Sequence, residues 1–122
     1  MDETNQERRA EARKKVMAFT PVYNLANKSL LGFLGDLTMK GAQIIGEKPL
    51  QVGAQVMLTF NLPPDLPGVA VEHMDIPVKV MRCEPDTNSK TGYRLGVQFI
   101  ETSPENEAII RAILERYHFR YK

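Results

Sequence analysis

Hydrophobic and polar residues alternate along several short stretches of this chain, which is the pattern of strands that bury one face. The stretch "AQVMLTF", residues 54–60, is apolar at every second position, with Gln55 and Thr59 on the opposite face. The stretch "YRLGVQF", residues 93–99, repeats the alternation. The positions that we expect to face inward in these two stretches are Ala54, Val56, Leu58, Phe60, Tyr93, Leu95, Val97 and Phe99.

Strand-forming stretches separated by short connections predict six strands. The connections carry turn chemistry, such as the proline-rich "NLPPDLPG" and the polar loop "DTNSKTG". No segment of helical length separates the strands, so we expect antiparallel pairing. Six antiparallel strands favour a small barrel or a sandwich, because both dispose of exposed edges. The predicted strands are residues 16–25, 29–37, 39–46, 54–60, 75–83 and 93–99.

The last segment of the chain has the pattern of a helix. In "TSPENEAIIRAILERYHFRYK", Ser103 is the expected N-cap, with Pro104 at the first helical position. Acidic residues in the first turn suit the helix dipole. Apolar residues recur at helical spacing, which predicts an amphipathic helix over residues 103–119. Packing against the barrel is the simplest role for it, and a partner-binding or dimerising helix stays open.

Composition fits a single globular domain and limits the classes of partner. The chain has 122 residues, 43% of them hydrophobic, and a net charge of +1 from 16 basic and 15 acidic residues. Non-specific nucleic-acid binders carry a large basic excess, so any anion site here is expected to be local. The single cysteine, Cys83, cannot form an internal disulfide, which favours a reducing, cytoplasmic compartment. No apolar run reaches the length of a membrane span, so no membrane insertion is expected.

Nothing in the sequence predicts catalysis. The two histidines, His73 and His118, lie far apart, and no hydrolase, zinc-protease or phosphate-loop motif occurs. We interpret "EHMD", residues 72–75, as a polar strand start and Cys83 as a small core residue. We therefore expect no enzyme, no catalytic residue, no metal site and no cofactor.

Arginines are concentrated near the N-terminus. "RRAEAR" contains Arg8, Arg9 and Arg13, inside a stretch of 15 residues with almost no apolar side chains. Such a stretch cannot bury itself, so residues 1–15 are expected to form a flexible arm or a frayed helix. Guanidinium groups bind phosphate oxygens in pairs and stack on nucleobases, so the cluster suits an anionic ligand. A solvated charged face is the alternative.

A second polar group lies between two apolar strands. "GDLTMKG" holds Asp36, Thr38 and Gly41 at fixed spacing. The carboxylate of Asp36 can accept the two adjacent donors of a guanine edge, and the Thr38 hydroxyl can bind phosphate or backbone. Gly41 leaves room for a ligand or a sharp bend. The alternative is a simple turn between strands.

Together the two groups resemble the signature of the PilZ family, RxxxR followed after twenty to thirty residues by (D/N)xSxxG. "RAEAR" supplies Arg9 and Arg13, and "DLTMKG" follows after 22 intervening residues, with Thr38 in place of the usual serine. Threonine keeps the hydroxyl but restricts its rotamers. "SLLGFLGDLTMKGAQI" and "RLGVQF" also resemble strands of this family, and the likeness covers residues 7–119.

The resemblance implies a bacterial receptor for cyclic di-GMP. It implies a six-stranded antiparallel β-barrel of the split-barrel type with a C-terminal helix. We accordingly expect a single domain, residues 1–122, with an arm over 1–15, a barrel over 16–101 and a helix over 103–119.

Site roles follow from the same resemblance. The arm would fold over the ligand, with Arg9 and Arg13 contacting phosphates and stacking on guanines and Arg8 as an additional contact. Asp36 would bind a guanine edge, and Thr38 would hydrogen-bond the ligand. Gly41 would allow close approach.

Ordering of the arm would change the surface offered to an effector protein, with an output such as motility or biofilm formation. We expect a monomer or a ligand-dependent dimer. A PilZ-like adaptor that acts without nucleotide is the alternative, for which Thr38 leaves room. An oligonucleotide-binding barrel is disfavoured by the near-neutral charge and by the scarcity of aromatic residues, which number 9 of 122 and include no tryptophan. No DNA or RNA partner is therefore expected.

Overall fold

The computed structural model describes residues 20–86 and 92–117, which contain six strands and one helix. All paired strands are antiparallel, and they close into a barrel in the order β1-β2-β3-β6-β5-β4. Closure decides between the barrel and the sandwich, and confirms the expected six-stranded barrel with a C-terminal helix. The elements are β1 (Pro21–Asn24), β2 (Ser29–Leu37), β3 (Gly41–Gly46), β4 (Gln55–Asn61), β5 (His73–Pro85), β6 (Tyr93–Phe99) and α1 (Pro104–Arg116).

The barrel interior is filled by the inward faces of the strands. Leu58 and Leu95 are almost completely buried, and the rings of Phe60 and Phe99 meet edge to face with centroids 6.4 Å apart. The alternation along β4 and β6 is therefore confirmed for these residues. Tyr93 at the start of β6 is only half-buried. Removing these apolar side chains from water supplies the main driving force for folding.

Some strand boundaries differ from the prediction because pairing decides where a strand stops. Strand β5 begins at His73, two residues earlier than expected, since His73 pairs with Asn61 at the end of β4. Strand β3 begins at Gly41 because residues 38–40 form the turn from β2. Cys83 on β5 is half-buried against the core.

The helix α1 lies at the end of the barrel where β2, β4 and β6 finish. Its N-cap is Ser103, whose Oγ accepts a hydrogen bond from the Asn106 backbone N–H at 3.0 Å. The side chain of Asn106 donates to the carbonyl oxygen of Asp75 on β5, also at 3.0 Å. On the core side, Ile110 and Ile113 are buried, so the helix closes this end of the barrel.

A polar clamp holds the end of α1 to the connection between β4 and β5. Arg116 Nη2 donates to Asp65 Oδ2 and the Tyr117 hydroxyl donates to Asp65 Oδ1, both at 2.8 Å. Two hydrogen bonds lower the pKa of the Asp65 carboxyl, and the bond from Arg116 has a larger effect than the bond from Tyr117. Burial raises the pKa of the Tyr117 hydroxyl, and the hydrogen bond to Asp65 raises it further by a smaller amount.

The division of the chain into an arm, a barrel and a helix stays a prediction. Residues 1–15 and residues 118–119 of the predicted helix lie outside the described residues. Over residues 20–86 and 92–117, no helix combines the length and the apolar character needed to span a bilayer.

Candidate functional site

The turn between β2 and β3 brings Asp36, Thr38 and Gly41 together. The Thr38 backbone N–H donates to the Gly41 carbonyl oxygen at 2.9 Å. The Thr38 Oγ1 accepts from the backbone N–H groups of Lys40 at 3.2 Å and Gly41 at 3.1 Å, and donates to the Gly41 carbonyl at 3.3 Å. A hydroxyl has one donor and two acceptor positions, so the turn uses all three. In the structure this hydroxyl therefore stabilises the turn.

Gly41 is placed where no side chain fits. A Cβ atom built there would lie 2.3 Å from the backbone carbonyl oxygen of Val97 on β6. The cause is the register of β3 against β6, in which Gly41 lies opposite Gln98. The absence of a side chain at this position is thus required by the barrel itself, before any ligand is considered.

Asp36 is half-buried near the end of β2, opposite Gln43 on β3. Its Oδ1 accepts a hydrogen bond from the Leu37 backbone N–H at 2.9 Å, which fixes the carboxylate. No described residue donates a hydrogen bond to Oδ2. The carboxylate therefore keeps acceptor capacity for adjacent donors on a ligand.

These three residues line a surface depression of about 350 Å³ on the outside of the barrel. The depression extends from the β2–β3 turn across β3 and β6 to β5. Its lining mixes polar and apolar residues, and it includes two cationic side chains that can pair with an anionic ligand. Besides Asp36 and Thr38, its polar side chains are Lys40, Gln43, Arg82 and Gln98, and Met81 adds an apolar contact.

A larger groove of about 650 Å³ lies between α1 and residues 67–75. His73 and Arg111 line it, but none of the residues singled out by the sequence as ligand-binding does. Among the described residues, no group of three or more His, Cys, Asp or Glu side chains is arranged to hold a metal ion. Size alone therefore does not identify the site. The smaller depression is the better candidate because Asp36, Thr38 and Gly41 line it.

Three of the six predicted site residues can be located. Asp36, Thr38 and Gly41 share one depression, whereas Arg8, Arg9 and Arg13 lie outside the described residues. The polar side chains on β3, β5 and β6 were missed, because a polar residue on an outer strand face is ordinary in any barrel.

Comparison with known proteins gives two findings. A family model described as "PilZ domain" matches residues 7–116. The structure is similar to one described as "PilZ domain with c-di-GMP of YcgR from Escherichia coli", with a TM-score of 0.57 and 21% sequence identity, covering 80% of this chain and 79% of that chain. At that identity the likeness shows a common fold. Among curated proteins, none matches this sequence.

Proposed function

The chain belongs to the PilZ family, and from that membership we propose that it is a non-enzymatic receptor for cyclic di-GMP. The observation that carries the proposal is the position of Asp36, whose carboxylate is fixed at one side of the depression and can accept further hydrogen bonds. The YcgR structure, which has the same fold, is described as containing c-di-GMP. The sequence contains no hydrolase, zinc-protease or phosphate-loop motif that would point to an enzyme.

Asp36 is suited to bind the base of the ligand. Guanine has a ring N–H and an amino group side by side, and one carboxylate can accept from both. Hydrogen bonds to a charged acceptor are stronger than neutral ones. Lys40, exposed on the neighbouring turn, supplies positive charge for a phosphate.

The N-terminal arginines are suited to bind the phosphates. Cyclic di-GMP is a dianion, and guanidinium groups pair with phosphate oxygens in a bidentate way. The chain enters the barrel close to the depression, since the Thr20 carbonyl accepts a hydrogen bond from Leu34, two residues before Asp36. Arg13 lies seven residues before Thr20, a length that extends to at most about 24 Å. A ligand in the depression is thus within reach of Arg13. It is also within reach of Arg9 and Arg8, because they are connected to Thr20 by a longer segment.

Thr38 and Gly41 hold the backbone that forms the site. The Thr38 hydroxyl holds the turn that presents Asp36, and a direct bond from it to the ligand would replace one bond of the turn. Gly41 lets β3 and β6 approach beneath the depression. Ligand binding would order residues 1–15 over the barrel and so change the surface presented to an effector protein in the cytoplasm.

Isothermal titration calorimetry with cyclic di-GMP tests the proposal. We expect wild type to bind at roughly micromolar concentration. Asp36→Asn, Arg9→Ala and Arg13→Ala should each weaken binding by about tenfold or more, as expected for loss of a charged hydrogen bond. The matched control is Glu101→Gln, which makes the same carboxylate-to-amide change at an exposed position outside the depression. A folded wild type that gives no binding heat would overturn the proposal, and the fitted stoichiometry gives the number of ligands per chain.

A further inference from the structure

Strand β5 has an irregularity where it borders the depression. Its pairing with β6 shifts register between Val80 and Arg82, as in a β-bulge. In a regular strand, neighbouring side chains point to opposite faces. Here Val80 is fully buried, whereas Met81 is 46% exposed and Arg82 is also exposed. The bulge thus turns two consecutive side chains outward, and both line the depression.

The register of four strands aligns Arg82 with Asp36. Asp36 pairs with Gln43, Gln43 pairs with Gly96, and Gly96 pairs with Arg82. This cross-strand row runs over β2, β3, β6 and β5 on the outer face of the barrel. Adjacent strands are about 4.8 Å apart, so Gly96 lies about 10 Å from Asp36.

The guanidinium of Arg82 lies above Gly96. A Cβ atom built on Gly96 would be 3.3 Å from Arg82 Nε and 3.7 Å from Arg82 Nη2. The side chain therefore extends from β5 back over β6, toward the Asp36 end of the row. Arg82 forms no ion pair with any residue in the described ranges. Its donors are available to a ligand.

We propose that Arg82 binds the acceptor edge, O6 and N7, of the guanine whose donors are accepted by Asp36. This inference rests on the proposed function. Guanine has donors on one edge and two acceptors on another, and a guanidinium is the side chain that pairs with O6 and N7 in a bidentate way. The row has the Asp36 carboxylate at one end and, two strands away, the Arg82 guanidinium above Gly96, which matches this polarity. Adenine has an amino donor at the corresponding edge and does not match. Met81 offers an apolar contact to the flat ring.

The test pairs a protein change with a ligand change. Cyclic di-GMP and its bis-7-deaza analogue, in which N7 is replaced by C–H, are titrated into wild type, Arg82→Ala and Arg82→Lys. Wild type should prefer cyclic di-GMP several-fold. Arg82→Ala should weaken cyclic di-GMP roughly 5- to 100-fold and bind both ligands alike. Arg82→Lys should recover little, because an ammonium lacks the planar fork.

The control is Arg111→Ala, which removes the same guanidinium from α1, outside the depression. It should leave the affinity within about twofold, as expected for a distant exposed charge. Unchanged binding by Arg82→Ala would overturn the inference. An equal loss for both ligands would also overturn it, since that result indicates a phosphate contact. If folded wild type binds neither ligand, the proposed function itself fails, which is a distinct outcome.

Discussion

Gly41 and Gly96 both lie beside the depression, and replacing each with alanine should have opposite effects on stability. At Gly41 the added Cβ would lie 2.3 Å from a backbone oxygen, that of Val97. At Gly96 the nearest atom would be 3.3 Å away and belongs to the flexible side chain of Arg82. Backbone atoms in a closed barrel cannot move independently, whereas an exposed arginine can rotate. The two substitutions thus separate a structural glycine from one that only keeps a surface open.

The clearance around each added Cβ sets the size of each effect. Ordinary contact begins near 3.4 Å, so alanine at position 41 requires β3 and β6 to separate by about 1 Å. Overpacking of this kind costs about 1–3 kcal/mol, and a weakened backbone hydrogen bond adds about 1 kcal/mol. We therefore expect Gly41→Ala to lower the free energy of unfolding by about 2–4 kcal/mol. Gly96→Ala should raise it by about 0.5–1 kcal/mol, because glycine in a strand loses more conformational entropy than alanine.

Urea denaturation followed by circular dichroism measures both effects. Wild type, Gly41→Ala and Gly96→Ala are compared at one pH and temperature. If Gly41→Ala lies within about 0.5 kcal/mol of wild type, the Val97 carbonyl oxygen does not restrict position 41. If Gly96→Ala loses as much stability as Gly41→Ala, rotation of Arg82 does not relieve the contact at position 96. If Gly41→Ala is destabilised as expected, its loss of ligand binding cannot be assigned to a missing ligand contact.

Three further predictions concern the helix end of the barrel. Ser103→Ala removes the N-cap acceptor and should cost about 1 kcal/mol, whereas Ser103→Asp should retain most of the stability; thermal denaturation of both variants checks this. Ile110→Ala creates a cavity at a fully buried position and should cost about 2–5 kcal/mol in urea denaturation. The pKa of Asp65 is lower in the folded protein than in the unfolded chain, where it is about 4. The ionised carboxylate therefore stabilises the fold at pH values above roughly 4, and this stabilisation is lost as the pH falls through the pKa of the folded state. Asp65→Asn should therefore be less stable than wild type at pH 7, with the gap closing below about pH 4, and a gap independent of pH would contradict the clamp.

The alternation of side chains predicts much of the barrel, because burial of one strand face imposes a period of two. Leu58 and Phe60 are inside as that period requires. The N-cap at Ser103 also follows from local chemistry. These features depend on residues close together in the sequence, which is why a single sequence is enough to predict them.

The register between distant strands could not be predicted in the same way. That Gly41 meets Val97, or that Asp36 shares a row with Gly96, depends on how β3 and β6 align. The bulge did leave a signal in the sequence. A strict period of two from Val80 would point Arg82 into the apolar core, and an unpaired buried charge is too costly. A broken alternation at an arginine is therefore a cue for a bulge.

A nuclear magnetic resonance titration shows directly whether cyclic di-GMP binds at the depression. Cyclic di-GMP is added to isotope-labelled protein, and the backbone amide shifts are mapped onto the fold. Binding at the depression predicts saturable shifts centred there, with the amides of Gln43 and Gly96 among the most affected, and loss of these shifts in Asp36→Asn. No shifts at all, or shifts centred on the groove at α1 around Val71 and Ala112, would contradict it.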